Sequence, residues 1–303
     1  MKKLLCFIII VVSIICLWQK DLITKFISQK IIYKDTVLVE NANEYYKNSD
    51  FLLIKNTDKF IVKDKSQFLD IIYTTLNNGW QDFNFFCDYT YNSCINDLYD
   101  IIENTDYIQA INNYVDPFNS YATINFTTDS LGKINIKLDK AYSNNQISKI
   151  NEIIENFIKN NIQPTLSDRQ KIKLFHDFVI DNTVYDQDFK LDMDKNSYPY
   201  HPYNAYGPLI EGKGICSGYS DAMAIFLDKI GVKNYKVSNK EHIWNVVYLD
   251  STWYHLDLTW DDPVTSNGQQ VVLYDFYLIT TNSLKQKQTT QHEYNIDLYK
   301  ELK

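Results

Sequence analysis

The stretch that decides the fold runs from residue 212 to residue 263 and reads GKGICSGYSDAMAIFLDKIGV (212–232), then, after an eight-residue connection, EHIWNVVYLD (241–250) and STWYHLDLTWDDP (251–263). Behind the first glycines, Ala222, Ile225, Phe226, Leu227 and Ile230 recur at helical spacing and Gly231 supplies a stop, so the spacing predicts a helix over about 216–230. Cys216 then falls in the first turn. Unpaired backbone N–H groups and the positive end of the helix dipole favour a thiolate there, and the same N–H groups can hold an oxyanion. Gly212, Gly214 and Gly218 are read as allowing tight backbone and close substrate approach. The plainer reading, a buried structural cysteine on an apolar helix, is weighed against by the partners that follow.

The runs 242–249 and 252–260 are rich in Val, Ile, Trp, Tyr, Leu and Thr, and Asp250-Ser251 separates them, which predicts a hairpin closed by a two-residue turn. If Leu249 faces Thr252, then Trp244 faces Asp257 and His242 faces Thr259. His242 and Asp257 become diagonal neighbours on one face, roughly 7 to 8 Å apart at the backbone and within reach of an imidazole–carboxylate hydrogen bond. A three-residue loop would put them on opposite faces. In the two-residue register Cys216 is the candidate nucleophile, His242 the base that activates it, and Asp257 the carboxylate that fixes the imidazole tautomer and stabilises its cation. An aspartate between two leucines is costly unless paired, which favours this role. His255, on the same face, is read as structural, and Asp261 and Asp262 as making the turn before Pro263 by side-chain bonds to backbone.

The segments GICSGYS (214–220), HIWN (242–245) and WYHLDLTWDDP (253–263) resemble bacterial transglutaminase-like proteins. A weaker likeness runs from about Ser167, through KIKLFHDFVIDNTVYD, to a YDFYLIT strand and His292. The resemblance implies a papain-like α+β core, with Cys216 as nucleophile at the start of a helix packed on an antiparallel sheet, His242 as base and Asp257 as third member. That family contains protein cross-linkers, cysteine peptidases, amidases and members without known catalysis. It therefore leaves open hydrolysis, transamidation and, from another class, a catalytically silent surface binding or assembly module. Animal transglutaminases place an oxyanion-holding tryptophan well upstream of the cysteine, and this chain has none between Trp80 and Trp244. Papain-type peptidases use a glutamine a few residues before the nucleophile, where Ile210, Glu211 and Gly212 stand here. Tyr206, in Asn204-Ala205-Tyr206-Gly207, is the candidate for the second oxyanion donor. Trp244 and Trp260 are candidates for cleft walls, although tryptophans in strands are more often core. The HIWN and WDDP motifs point away from arylamine acetyltransferases, and the lack of C-x-x-C pairs away from peptide N-glycanases. No metal and no cofactor is called for.

A length of 303 residues suits a catalytic domain with an addition, and a net charge of −8, from 30 basic and 38 acidic residues, argues against nucleic acid or anionic membrane surfaces as partners. Lys2 and Lys3 precede an apolar run from Leu4 to Trp18, a signal-type pattern without a small-x-small cleavage site, so residues 1–24 read as a signal anchor or signal peptide. Catalysis would then lie outside the cytoplasm, on a membrane-anchored or secreted protein, with a protein or peptide substrate such as a cell-wall or surface protein. Cys87 and Cys94 are the pair that an oxidising compartment could join. Residues 35–145 read as a small α+β domain: a helix capped by Ser66 and stopped by Gly79, then a hairpin of 121–128 and 133–138. The catalytic domain, 146–303, opens on an amphipathic helix bearing Ile147, Ile150, Ile154 and Phe157, followed by a second with a Ser167/Gln170 capping box. His176 is read as structural, and Asp192-x-Asp194-x-Asn196 as a poor calcium loop, since Ser197 replaces its glycine and Tyr203 its glutamate.

Overall fold

Period-2 alternation in the run 121–140 and period-3.6 patterning from 144 onward divide the chain into sheet and helix layers, as the computed structural model shows. It describes residues 2–20, 22–23, 26, 60–129, 131–189, 200–265 and 271–303. The acidic motif at 192–196 therefore lies outside the described residues, as do residues 35–59 of the expected N-terminal domain. Helix α1, Lys2–Trp18, is apolar from Leu4 onward. Among the described residues no helix is long and apolar enough to cross a membrane.

The first unit is a four-stranded sheet with helices against it. Strands β1 (Ile61–Val62), β2 (Asp82–Cys87), β3 (Tyr121–Thr128) and β4 (Lys133–Lys140) lie in the order β1-β2-β4-β3, with β1 parallel to β2 and the other pairs antiparallel. Helices α2 (Lys65–Asn77), α3 (Cys94–Glu103) and α4 (Thr105–Asn113) pack together. The cap of α2 is Asp64 and not Ser66: its carboxylate accepts the Gln67 N–H at 2.9 Å, which moves the helix start two residues upstream. Gly79, at φ +62°, follows the helix end as expected. A disulfide joins Cys87, at the end of β2, to Cys94, at the start of α3.

The second unit opens on α5 (Asn144–Asn161) and α6 (Asp168–Asn182), each begun by a capping box, Ser143 with Gln146 and Ser167 with Gln170. Two short parallel strands, β5 (Val184–Tyr185) and β6 (Lys213–Gly214), lead into α7 (Cys216–Lys229). Strands β7 (Asn234–Ser238), β8 (Ile243–Leu249) and β9 (Thr252–Leu256) form an antiparallel meander on which α7 packs, and α8 (Thr281–Gln286) lies against β9. The expected YDFYLIT strand is absent: only Ile279 bridges to His255, because the segment turns at Asp275 and Phe276.

The meander is the middle layer of the molecule. Tyr235, Val237, Trp244 and Val246 join a core with Phe68, Phe85, Ile111 and Ile136 of the first unit. Val247, Leu249 and Leu256, on the opposite face, join Phe157, Phe175 and Phe226 of α5, α6 and α7. Alternation along β8 thus serves two cores at once, and each fully buried aliphatic or aromatic side chain contributes on the order of 1.5–3 kcal/mol.

Candidate functional site

The hairpin register is the two-residue one. Leu249 pairs with Thr252 and Asn245 with Leu256, and both turn residues have positive φ, Asp250 at 51° and Ser251 at 62°, the left-handed pair that matches strand twist. His242 stands one residue before β8 and Asp257 one residue after β9. Their side chains meet: His242 Nε2 lies 2.5 Å from Asp257 Oδ2, with both residues buried. Nε2 being taken by Asp257, Nδ1 is the ring nitrogen left for Cys216, whose side chain interacts with the imidazole.

Cys216 is half-buried at the first position of α7, and Ile215 at the N-cap has no side chain to satisfy the first-turn N–H groups. The glycines before and after it accommodate the chain itself. A Cβ on Gly214 would come within 2.7 Å of Pro208 Cγ, and one on Gly218 within 2.4 Å of the Pro202 carbonyl oxygen. The expected approach of substrate at these two positions is thus occupied by backbone and proline packing.

Burial disfavours the His242 cation, but the Asp257 charge and hydrogen bond, with the Cys216 side chain, outweigh it and raise the imidazole to about 10. Asp257 shows the same contest from the other side. Burial alone would raise its carboxyl, yet His242 and His292 hold it well below the usual carboxylate range. Its Oδ1 accepts from Thr259 N, Thr259 Oγ1 and Trp260 N at 3.0, 2.5 and 3.3 Å, and its Oδ2 takes a second imidazole, His292 Nε2, at 2.8 Å.

A groove of about 410 Å³ opens over His242, walled by Tyr185, Gln187, Thr259, Trp260 and Gln291. Trp260 therefore walls the cleft, whereas Trp244 does not: it is fully buried, stacks at 5.6 Å on the His242 ring and donates Nε1–H to His255 Nδ1 at 3.0 Å. Tyr206 is placed elsewhere. Its hydroxyl accepts from Lys149 Nζ of α5 at 3.1 Å, its ring packs edge-on against His201, and it is not among the groove residues. Tyr185 stands on the groove wall instead, one residue from the end of the quoted KIKLFHDFVIDNTVYD and paired in register with Gly214. Burial first, then the charges of Cys216 and Asp257, push its hydroxyl up to about 12.

His176 is structural, as expected, fully buried between Asp177 and Asp261 at 3.0 and 3.2 Å. Asp261 and Asp262 both reach beyond the turn before Pro263. Asp261 also accepts the Phe276 N–H at 2.9 Å, and Asp262 Oδ2 accepts from the Tyr219 hydroxyl at 2.5 Å, so each has a partner on distant chain. Among the described residues, His242, Asp257 and His292 bring three ligand-type atoms within 4.8 Å, a set that suits a borderline cation such as zinc. Both Nε2 atoms are already within hydrogen-bond distance of Oδ2, which accounts for the cluster without an ion. A second cavity, about 380 Å³, lies behind His292 beside Leu284, Thr289 and Tyr294, whereas the groove over His242 opens on the candidate base and is therefore the candidate substrate site.

These features define an α+β protein with a cysteine, histidine and aspartate gathered at one end of an antiparallel sheet. Residues 155–258 match the transglutaminase-like superfamily. Similar solved structures include a TGase, 18% identical with a TM-score of 0.35 over 57% of this chain and 50% of that one. Another is a candidate cysteine protease from Cytophaga hutchinsonii, 11% identical with a TM-score of 0.28 over 50% of this chain and 65% of that one. The chain thus spans about half the length of that TGase. No curated protein matches the sequence.

Proposed function

We propose that this protein is an extracytoplasmic thiol acyl-transfer enzyme acting on protein or peptide amides, with Cys216 as nucleophile, His242 as base and acid, and Asp257 as orienter. The observation that carries the reading is the buried His242 imidazole, bonded through Nε2 to the Asp257 carboxylate at 2.5 Å and interacting with Cys216 at the start of α7. Asp257 stabilises the imidazolium, so the proton leaves the thiol for His242 and the Cys216 thiolate attacks an amide carbonyl carbon. The C–N bond breaks as His242 returns the proton to the departing amine, and a thioester remains. Water or a primary amine, deprotonated by His242, then attacks the thioester and releases the thiol. Water makes the enzyme a peptidase or amidase, and a lysine side chain makes it a transglutaminase.

The first-turn N–H groups of α7 supply one side of the oxyanion hole, and Tyr185 supplies the second donor in place of Tyr206. Its place on the wall of the groove that His242 also lines, and the influence of the Cys216 charge on its hydroxyl, support this role. Support for an extracytoplasmic site comes from Lys2 and Lys3 before an apolar helix and from the Cys87–Cys94 disulfide, which persists in oxidising compartments. Cell-wall and surface peptides are the substrate classes this location offers.

The test pairs turnover with labelling. The protein is incubated with glutamine peptides and a labelled primary amine, and amine incorporation is scored against free acid. One product is expected, abolished in Cys216→Ala and slowed roughly hundredfold in Tyr185→Phe with little change in KM. Iodoacetamide should modify Cys216 faster than a free model thiol near neutral pH, and more slowly in His242→Ala. No product across a broad peptide set, together with ordinary thiol reactivity, would overturn the enzyme reading.

A further inference from the structure

Asp257 is held by two imidazoles, of which the proposed triad uses one. An ionised carboxylate only accepts, so the second, His292, donates Nε2–H to Oδ2 at 2.8 Å, which leaves its Nδ1 facing Thr289 Oγ1 at 2.6 Å. The ring has no freedom to turn. Phe276 stacks on it at 4.7 Å and 13°, and Trp244 and Trp260 meet it at 4.9 and 5.0 Å. The segment carrying it is tied back to the hairpin by Asp257 N–H to Phe276 O, at 3.1 Å, and by the His255–Ile279 bridge.

This placement is more than packing requires. A cage of three aromatic rings would accept phenylalanine, yet the residue inside is an imidazole bonded at both nitrogens. The three donors from Thr259 and Trp260 all reach Oδ1 and fix only one end of the carboxylate. Without His292, Oδ2 keeps His242 alone among the described residues and the carboxylate is free to pivot about Oδ1. With it, donors on two sides lock Oδ2 in the plane that meets His242.

We propose that His292 is a positioning residue of this site: its Nε2–H pins the Asp257 carboxylate in the orientation that aligns His242 on Cys216. The proposal rests on the thiol acyl-transfer reading. It makes the site a Cys–His–Asp–His chain in which the last member never touches substrate.

The experiment measures alkylation of Cys216 by iodoacetamide in the full chain, with EDTA present and modification followed at the Cys216 peptide by mass spectrometry. His292→Phe keeps the ring and its stacking but removes the donor, whereas His292→Gln keeps an N–H near the Nε2 position. The Phe variant should react roughly tenfold more slowly and the Gln variant within about threefold of wild type, the scale of one charge-assisted hydrogen bond. Thr289→Val, which removes the hydroxyl that orients the ring, should fall between them and serves if His292→Phe does not fold by its thermal melt. A purely structural role predicts the reverse order, with Phe tolerated and Gln damaging. If His292→Phe and Thr289→Val both react at the wild-type rate while His242→Ala is slow, this inference falls and the triad stands. If wild type reacts no faster than a model thiol, both fall. Acceleration of the wild type by added zinc without EDTA, lost in His292→Phe, would make the cluster a metal site and also overturn the proposal.

Discussion

His255 shows what one buried imidazole does to the pH dependence of the whole chain. Its Nδ1 accepts the Trp244 indole N–H at 3.0 Å and its Nε2 meets Thr281 Oγ1 at 3.1 Å, so a second proton would have to break the indole bond in a buried site. Burial, followed by the His292 charge, lowers it to about 3. Between that value and the ordinary histidine value of about 6.5 the unfolded chain binds the extra proton, and stability therefore falls as pH falls through this window. His242 has the opposite sign: raised to about 10, it contributes stability below about 6.5 that is lost as pH climbs toward 10. His255→Gln, compared with wild type by urea denaturation, should remove on the order of 2 kcal/mol of the loss between pH 6.5 and 5, a difference that cancels contributions from the carboxylates. The candidate site was legible in the sequence where it depends on local rules: Cys216 from a helix start, His242 and Asp257 from strand parity. Tyr185 and His292 were not assigned roles, because they reach the groove and the carboxylate through a β5–β6 pairing and a 3-10 turn that no local period encodes. Tyr206 falls outside the groove because its hydroxyl is taken by Lys149 of α5, a packing contact that sequence spacing does not encode.

At the scale of elements, the β8–β9 hairpin carries the site's geometry, and its turn is strained where it is most constrained. Ser251 adopts φ 62°, a left-handed conformation that glycine takes without a Cβ penalty, and its neighbour Asp250 also carries positive φ at 51°. Ser251→Gly should therefore raise stability by about 0.5–1 kcal/mol, seen as a higher Tm, and leave the alkylation rate of Cys216 unchanged because the register is untouched. A fall in Tm would mean that the serine makes up the difference in ways the turn geometry does not capture. Most elements were legible from periodicity and caps: α7 begins at Cys216, β3 spans Tyr121–Thr128, and the Ser167/Gln170 box opens α6. The YDFYLIT segment misled because a buried loop beside a sheet needs the same apolar residues as a strand. There, Phe276 packs in the core and its N–H goes to the Asp261 side chain instead of a ladder.

At the scale of the molecule, the sheet that bears the site is buried on both faces, and its outer face belongs to a core built largely from residues before 141. Trp244, Val246 and Val237 pack with Phe68, Phe85, Ile111 and Ile136, all of them buried. Polar ties reinforce the junction: Asn113 Nδ2 donates to Ser238 Oγ at 2.7 Å, and the Tyr142 hydroxyl donates to Asp221 Oδ2 of α7, whose other oxygen pairs with the buried Lys236 of β7. A fragment of residues 146–303 would expose the Trp244 face and strip Asp221 of one partner, losing several side chains each worth roughly 1.5–3 kcal/mol against a typical total of about 5–15 kcal/mol. It should therefore be insoluble or lack a cooperative melt, while the full chain unfolds in a single transition detected alike by tryptophan fluorescence and circular dichroism. Two separate transitions, with the later one preserved in the fragment, would instead make the catalytic unit independent and reduce the first unit to an appendage. On the geometry of the shared core, the first unit acts as the floor on which His242, Trp244 and Asp257 are held, so a variant such as Phe85→Ala should slow Cys216 alkylation from beyond the site by loosening that floor.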